Sequence, residues 1–369
     1  MNVAERVPFV DLRPGEDAAA VREAIDRVVT RGWFVLGPEV EAFEAEFAAA
    51  CGARHAVGVG NGTDAIALLL RALGIGPGDD VVVPAMTAAF SALAVMAAGA
   101  RPVFADVEPG TLTLAPAACE AAITTRTRAL LVVHLYGQPA DMPALTRIAS
   151  RHGLALVEDC CQAHAATAGG APVGTFGAGG AYSFYPTKNL GALGDGGAVA
   201  TNDAALAARI RRLRNGGQAD RYRHVEAGIN SRLDELQAAV LRVRLPHLAR
   251  WTARRREIAA RYRGLLSSSI ELLEHREPGH VHHLFPVRTP ARDALQAALG
   301  ASGIETLIHY PVSLPEQPAF AACAPASCPV AASAARTLLS LPLHPRLADA
   351  EIDRIAAAVA AFQKGHVPA

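Results

Sequence analysis

Between residues 55 and 200 the chain alternates short, nearly continuous apolar runs with stretches whose apolar residues recur at helical spacing. The runs Ala56–Val59, Val81–Val83, Val103–Ala105, Leu130–His134, Leu154–Glu158, Ala181–Tyr185 and Ala198–Thr201 predict strands. Asp64–Leu73, Ala88–Ala98, Pro116–Ala121 and Met142–His152 predict the helices between them. Strands apolar on both faces and separated by helices imply an α/β architecture, a mostly parallel sheet covered on both sides. An arginine-rich helical region is expected from about Ser231 to Leu266, N-capped at Asn230-Ser231 and kinked or broken at Pro246. Strands at His282–Val287 and Thr306–Ile308, with further helices, predict a smaller α+β unit. The expected division is a large domain over 1–245, including an N-terminal arm to about residue 30, and a small C-terminal domain over 246–369.

Composition narrows the function classes. The 369 residues are 51% hydrophobic with a formal net charge of +0, which fits a globular chain without an electrostatic footprint for nucleic acid. Met1 to Pro14 has no apolar core of signal-peptide type. The longest apolar stretch, Ala85 to Ala100, contains Ser91 and Gly99 and falls short of the roughly 20 residues that span a bilayer. A cytoplasmic protein with no membrane partner is expected. Its six cysteines follow no disulfide or zinc spacing, so reduced thiols are expected. Cys160, Cys161 and His164 lack a second ligand pair, which argues against a metal.

Lysine usage points to chemistry. Of 35 Lys and Arg residues only Lys188 and Lys364 are lysine. Lys364 is expected in solvent near the carboxyl end, whereas Lys188 sits in Tyr-Ser-Phe-Tyr-Pro-Thr-Lys-Asn-Leu-Gly. A guanidinium is too basic to lose a proton and condense with a carbonyl, so a retained mid-chain amine suggests a nucleophile. Biased codon usage explains the rarity of lysine but not the position of the survivor.

Three segments surround that amine. His55-Ala-Val-Gly-Val-Gly-Asn-Gly-Thr reads strand, glycine turn, helix, and Gly62-Thr63 offers N–H groups where a helix dipole favours phosphate. A nicotinamide-dependent dehydrogenase is the rival. Against it, Thr63 replaces the third glycine, and Asp79-Asp80 precede the second strand instead of ending it. An unliganded tight turn is equally compatible. Leu154-Ala-Leu-Val-Glu-Asp delivers Asp159 to a strand's carboxyl end, where it either meets a protonated ring nitrogen or caps the next helix; Gln162 and His164 follow closely enough to line the same crevice. Ser183 precedes Lys188 and could reach a phosphate. A phosphate cup, a strand-end aspartate and a lone lysine together suit pyridoxal 5'-phosphate. Lys188 would hold its aldehyde as a Schiff base, with Asp159 on the pyridine nitrogen.

Along nearly the whole chain these motifs resemble the DegT/DnrJ-type sugar aminotransferases, fold-type I enzymes dependent on pyridoxal phosphate. The resemblance rests on Val7-Pro-Phe-Val-Asp-Leu, Phe34-Val-Leu-Gly-Pro-Glu-Val-Glu, Asn61-Gly-Thr-Asp-Ala, Val157-Glu-Asp, Ser183-Phe-Tyr-Pro-Thr-Lys-Asn-Leu-Gly, Gly228-Ile-Asn-Ser-Arg-Leu-Asp-Glu and Ile308-His-Tyr-Pro. It implies Lys188 as the Schiff-base and proton-shuttling residue and Asp159 on the ring nitrogen. Gln162 would lie near the ring hydroxyl, with Gly62, Thr63 and Ser183 on the phosphate and Asn230 reaching it from a neighbouring subunit. A homodimer with shared active sites follows.

The implied reaction is ping-pong transamination from L-glutamate to a nucleotide-linked keto sugar. Tyr185 and the Ile308-His-Tyr-Pro segment resemble the branch that aminates C3 of dTDP-3-keto-6-deoxyhexoses. Tyr185, His309, Tyr310, Tyr222 and Arg232 become substrate-contact candidates. The alternatives are a 4-keto-sugar or keto-inositol aminotransferase, or a non-catalytic binding or regulatory protein on the same fold. One departure stands out: Ala88 replaces the family's ring-stacking aromatic, so either Phe90 stacks by a shifted register or no aromatic does.

Overall fold

The computed structural model describes residues 6–323 and 326–365. Its strands are β1 (His55–Val59), β2 (Asp80–Pro84), β3 (Arg101–Ala105), β4 (Thr127–Val133), β5 (Ala155–Asp159), β6 (Thr167–Ala168) and β7 (Ala171–Pro172). They continue with β8 (Gly179–Ser183), β9 (Gly197–Thr201), β10 (Gln218–Asp220), β11 (Arg223–His224), β12 (Glu271–Leu272), β13 (Phe285–Arg288) and β14 (Leu338–Leu341). The helices begin with α1 (Ala18–Arg31), α2 (Pro38–Ala50), α3 (Gly62–Ala72), α4 (Ala89–Ala97), α5 (Pro116–Ala121) and α6 (Met142–His152). Then come α7 (Ala204–Leu213), α8 (Glu235–Arg244), α9 (Leu248–Leu266), α10 (Arg292–Ala301), α11 (Pro329–Thr337) and α12 (Asp349–Gly365).

Seven strands form one sheet in the order β1-β9-β8-β5-β4-β2-β3. Every neighbouring pair is parallel except those of β9, which opposes both β1 and β8. This is the expected α/β sheet, and the carboxyl ends of β1, β5 and β8 share one edge. The nearly continuous valines and leucines of β2, β4 and β5 are buried because helices cover both faces. On one face α3 is apolar almost all round. Ala65 to Leu70 are all buried against the sheet, α4 and α7, as a helix clamped between layers requires. On the other face Phe43, Phe47, Leu145 and Leu241 fill the space under α2, α6 and α8. A third apolar cluster joins Val7 to α9, α10, α12 and the β12-β13-β14 sheet.

The structure corrects the expected helix start at Asn230-Ser231. Asn230 pairs with Asn215 in an isolated bridge, and α8 begins only at Glu235, behind Asp234. Ser231 Oγ instead accepts from Gly60 N at 2.9 Å and donates to Asp64 Oδ2 at 2.6 Å. A partner distant in sequence has overridden a local capping preference. The break at Pro246 is present, as a 3₁₀ turn over Leu245–His247 between α8 and α9. The strand expected at His282–Val287 begins instead at Phe285, after His282 adopts a positive φ of 46°. Thr306–Ile308 reduces to one bridge, Leu307 to Ser340. Lys364 lies exposed in the last turn of α12. Among the described residues no helix is long and apolar enough to cross a membrane.

Candidate active site

The lysine is aimed by its own loop. Where β8 ends, Tyr185 N donates to Ser183 Oγ at 3.3 Å, and Lys188 N donates to Tyr185 O at 2.8 Å, closing a turn stiffened by Pro186. The chain returns so closely that a Cβ on Gly191 would stand 2.5 Å from Pro186 O, so a side chain there would force the turn open. Lys188 is half-buried, and its amine has no hydrogen bond or ion pair among the described residues. Burial lowers its pKa from the usual lysine value, and nearby Cys161 and Asp159 oppose the shift. An amine biased toward its neutral form, with its lone pair unspent, is the state a nucleophile needs.

Asp159 ends β5, in register with Val133 of β4 and Ala181 of β8. Its carboxylate does not cap a helix. Oδ1 accepts from Cys161 N at 3.0 Å, and Oδ2 accepts from Ser91 Oγ at 2.8 Å. Ser91 belongs to α4, and sequence reasoning assigned it no role. The available signal was a hydroxyl inside an apolar stretch, four residues after Thr87 and so on the same side of the chain.

The predicted phosphate cup is formed by the N-terminus of α3. Asn61 Oδ1 caps the helix by accepting from Asp64 N at 2.8 Å, while the N–H groups of Gly62 and Thr63 have no acceptor among the described residues. Gly62 lies against Ser183 and Cys161; a Cβ there would stand 2.8 Å from Ser183 Cβ and from Cys161 Sγ. Only a glycine lets the helix end and the β8 terminus approach this closely. Unspent amides, a positive dipole end and the Ser183 hydroxyl suit an anionic phosphate.

Gln162 is pinned at both ends. Its Oε1 accepts from Tyr136 N at 2.6 Å, and its Nε2 donates to Tyr310 Oη at 3.0 Å. Tyr136 Oη donates to His309 O, so this second residue missed from sequence ties the β4 terminus to the segment carrying two substrate candidates. Burial pushes both tyrosine hydroxyls above the usual phenol value. His309 stacks on Phe9 with ring centres 5.7 Å apart, and burial lowers its pKa to about 4.

Other candidates are placed differently. His164 does not line the crevice; it is buried against Tyr182 and Phe184, at 5.6 and 5.8 Å between ring centres, with its pKa pushed down to about 3 by burial. Tyr185 and Tyr222 are 52% and 79% exposed, the latter between β10 and β11. Arg232 Nη1 donates to Asn215 Oδ1 at 3.0 Å, which leaves its positive charge uncompensated by any carboxylate among the described residues. Ala88 forms the N-cap of α4, and Phe90 is 63% exposed. Asp80, part of the rival dinucleotide reading, is spent on Arg101 at 2.8 Å and on Arg126. A cavity of about 580 Å³ between the N-terminal segment, α9 and the lysine turn reaches Lys188. Its Arg13, Arg244, Arg250, Arg254 and Arg346 are each paired with carboxylates.

The donor set fits a phosphorylated pyridine aldehyde: an unpartnered amine, a carboxylate at a strand end and an amide-lined cradle that a single methyl group would fill.

The chain is similar to known proteins along nearly its whole length. The chain is 52% identical to the dTDP-3-amino-3,4,6-trideoxy-alpha-D-glucose transaminase of Streptomyces venezuelae over 362 residues, 96% of this chain and 95% of that protein. The crystal structure of Streptomyces venezuelae DesV in complex with a ketimine intermediate superposes with a TM-score of 0.95. It is 51% identical, and the match covers 98% of this chain and 100% of that one. NtdA from Bacillus subtilis, solved with bound cofactor PMP, matches with a TM-score of 0.93 at 31% identity, over 99% of this chain and 86% of that one. The model of the DegT/DnrJ/EryC1/StrS aminotransferase family matches residues 16–360. With its lysine, aspartate and glycine cradle within that span, the chain belongs to this aminotransferase family.

Proposed function

We propose that this enzyme uses pyridoxal 5'-phosphate to transfer an amino group from L-glutamate to C3 of a nucleotide-linked 3-keto-6-deoxyhexose. The carrying observation is the half-buried, unpartnered Lys188 amine, with Asp159 nearby and the Gly62–Ser183 cradle. When bound, pyridoxal phosphate supplies an electron sink for charge developing on the substrate carbon. Lys188 Nζ would hold the aldehyde and would be the group that carries a proton to and from the substrate carbon. Asp159 would hold the ring nitrogen and keep it protonated. Gly62 N, Thr63 N and Ser183 Oγ would take the phosphate, and Gln162, fixed by Tyr136 and Tyr310, would serve the ring hydroxyl.

Tyr185, His309 and Tyr310 contact the sugar or diphosphate in this reading, while Tyr222 serves the diphosphate and Arg232 an anionic group of the substrate. The active unit is a homodimer in which Asn230 and the exposed Tyr222 act across the interface. Exposed Phe90, Leu93 and Met96 on α4 supply apolar surface for such an interface. The chain divides near residue 245 into a large and a small domain, and works in the cytoplasm. The name of the Streptomyces venezuelae relative supports C3 over C4.

Two measurements test the reading. The purified holoenzyme is expected to lose its visible cofactor band on adding L-glutamate and regain it with a keto sugar. An unchanged band rejects transamination from this donor. In side-by-side assays, turnover of a 4-keto but not a 3-keto nucleotide sugar rejects the C3 assignment.

A further inference from the structure

We infer that Ser91, backed by Thr87, is the positioning residue that sets the Asp159 carboxylate for the cofactor ring; this rests on the cofactor reading above. Ser91 Oγ stands 2.8 Å from Asp159 Oδ2 and 3.3 Å from Thr87 Oγ1. A serine hydroxyl has one proton. Once Ser91 gives it to the carboxylate, the Thr87 contact can be completed only with Thr87 as donor. The chain of hydrogen bonds therefore runs one way, Thr87 to Ser91 to Asp159.

All three side chains are buried: Ser91 is 1% exposed, Thr87 3% and Asp159 6%. In such a place a hydroxyl aimed at a carboxylate is held, not exchanged with water, and consecutive donors strengthen one another. The second carboxylate oxygen is fixed by Cys161 N. With one donor on each oxygen, the carboxylate plane cannot rotate, and each oxygen keeps a lone-pair direction for a ring N–H. α4 thus reaches Asp159 through the side chain of Ser91. Ser91 itself touches no reacting atom in this account.

The test uses Ser91→Ala and Ser91→Thr, with Asp159→Asn and the double variant Ser91→Ala/Asp159→Asn. Apo-protein is titrated with pyridoxal phosphate, and the pH midpoint of the bound cofactor's visible absorbance is measured beside steady-state kinetics. Ser91→Ala is expected to weaken cofactor binding about fivefold or more, shift the absorbance midpoint and lower kcat about tenfold with little change in KM, in line with losing one charge-assisted hydrogen bond. Ser91→Thr, which keeps the hydroxyl, is expected to restore all three. In the Asp159→Asn background the alanine change is expected to add almost nothing, because both substitutions break the same link. A pH midpoint and binding constant unchanged in Ser91→Ala would overturn the inference. So would equal losses in the alanine and threonine variants, or full additivity in the double variant, which would mark a packing role. Cofactor binding and its pH midpoint need neither amino donor nor sugar, so failure of the proposed reaction would be seen separately.

Discussion

Glu158 and Asp159 are neighbours on β5, carry the same functional group and point to opposite faces of the sheet, yet their surroundings diverge. Glu158 is saturated by the fold. Its Oε1 accepts from Phe176 N at 2.8 Å and Gly177 N at 3.2 Å, and its Oε2 accepts from Gly174 N at 2.7 Å with His134 Nε2 at 3.1 Å. His134 Nδ1 in turn accepts from Ala140 N at 3.2 Å, so its Nε2 carries the proton and donates to Glu158. Cys160 lies close enough to complete a metal-like trio, but these donors already account for the carboxylate. Asp159 has one donor per oxygen and an amine nearby. A buried carboxylate whose lone pairs are all used is holding the chain together. One left partly open beside an unpartnered amine is available for chemistry.

This contrast can be broken by substitution. Glu158→Ala should cost about 3–5 kcal/mol of folding stability, because it strands three backbone N–H groups and His134 in the interior. Urea unfolding would measure it; a loss below about 1 kcal/mol would mean that water or rearrangement satisfies those donors. Asp159→Asn should have the opposite signature, with stability within about 1 kcal/mol of the parent and kcat lowered on the order of 10²-fold. Equal stability losses in the two variants would erase the distinction.

A further, pH-dependent effect follows from histidines buried in the fold. Burial holds His309 and His344 near a pKa of about 4, and His164 and His282 near about 3. Unfolded, each binds a proton near 6.5, so their neutral burial is unopposed above that pH. Below it the unfolded state takes up protons that the folded state refuses. Stability should fall between about pH 6.5 and 4, by up to about 1.4 kcal/mol per pH unit for each such group. Urea midpoints at pH 7.5 and 5.5 check this, and identical values would contradict it.

The same two carboxylates show what the sequence could convey. Apolar runs located all seven strands of the main sheet within a few residues, since burial on both faces leaves a continuous signal. Asp159 was legible because a strand end in a parallel sheet is a ligand-facing edge. Glu158, one residue away, carried no sign of its three loop amides, which come from Gly174 to Gly177 and depend on the fold. Ser91 and Tyr136 were missed for the same reason: their partners lie 68 and 26 residues away. Asn230-Ser231 was misread because a local capping preference cannot foresee that Ser231 will bind Asp64 across 167 residues. Lysine scarcity, by contrast, was visible at once. The structure adds that arginines fill ion pairs elsewhere, while Lys188 is left without one.

That difference gives the most direct test. The holoenzyme should be reduced with borohydride, digested and mapped by mass spectrometry, with Lys188 and Lys364 as the only two lysine candidates. The account predicts a stable phosphopyridoxyl group on Lys188 and none on Lys364. Label on Lys364, or a reduced protein with no label while the visible band was present, would contradict it.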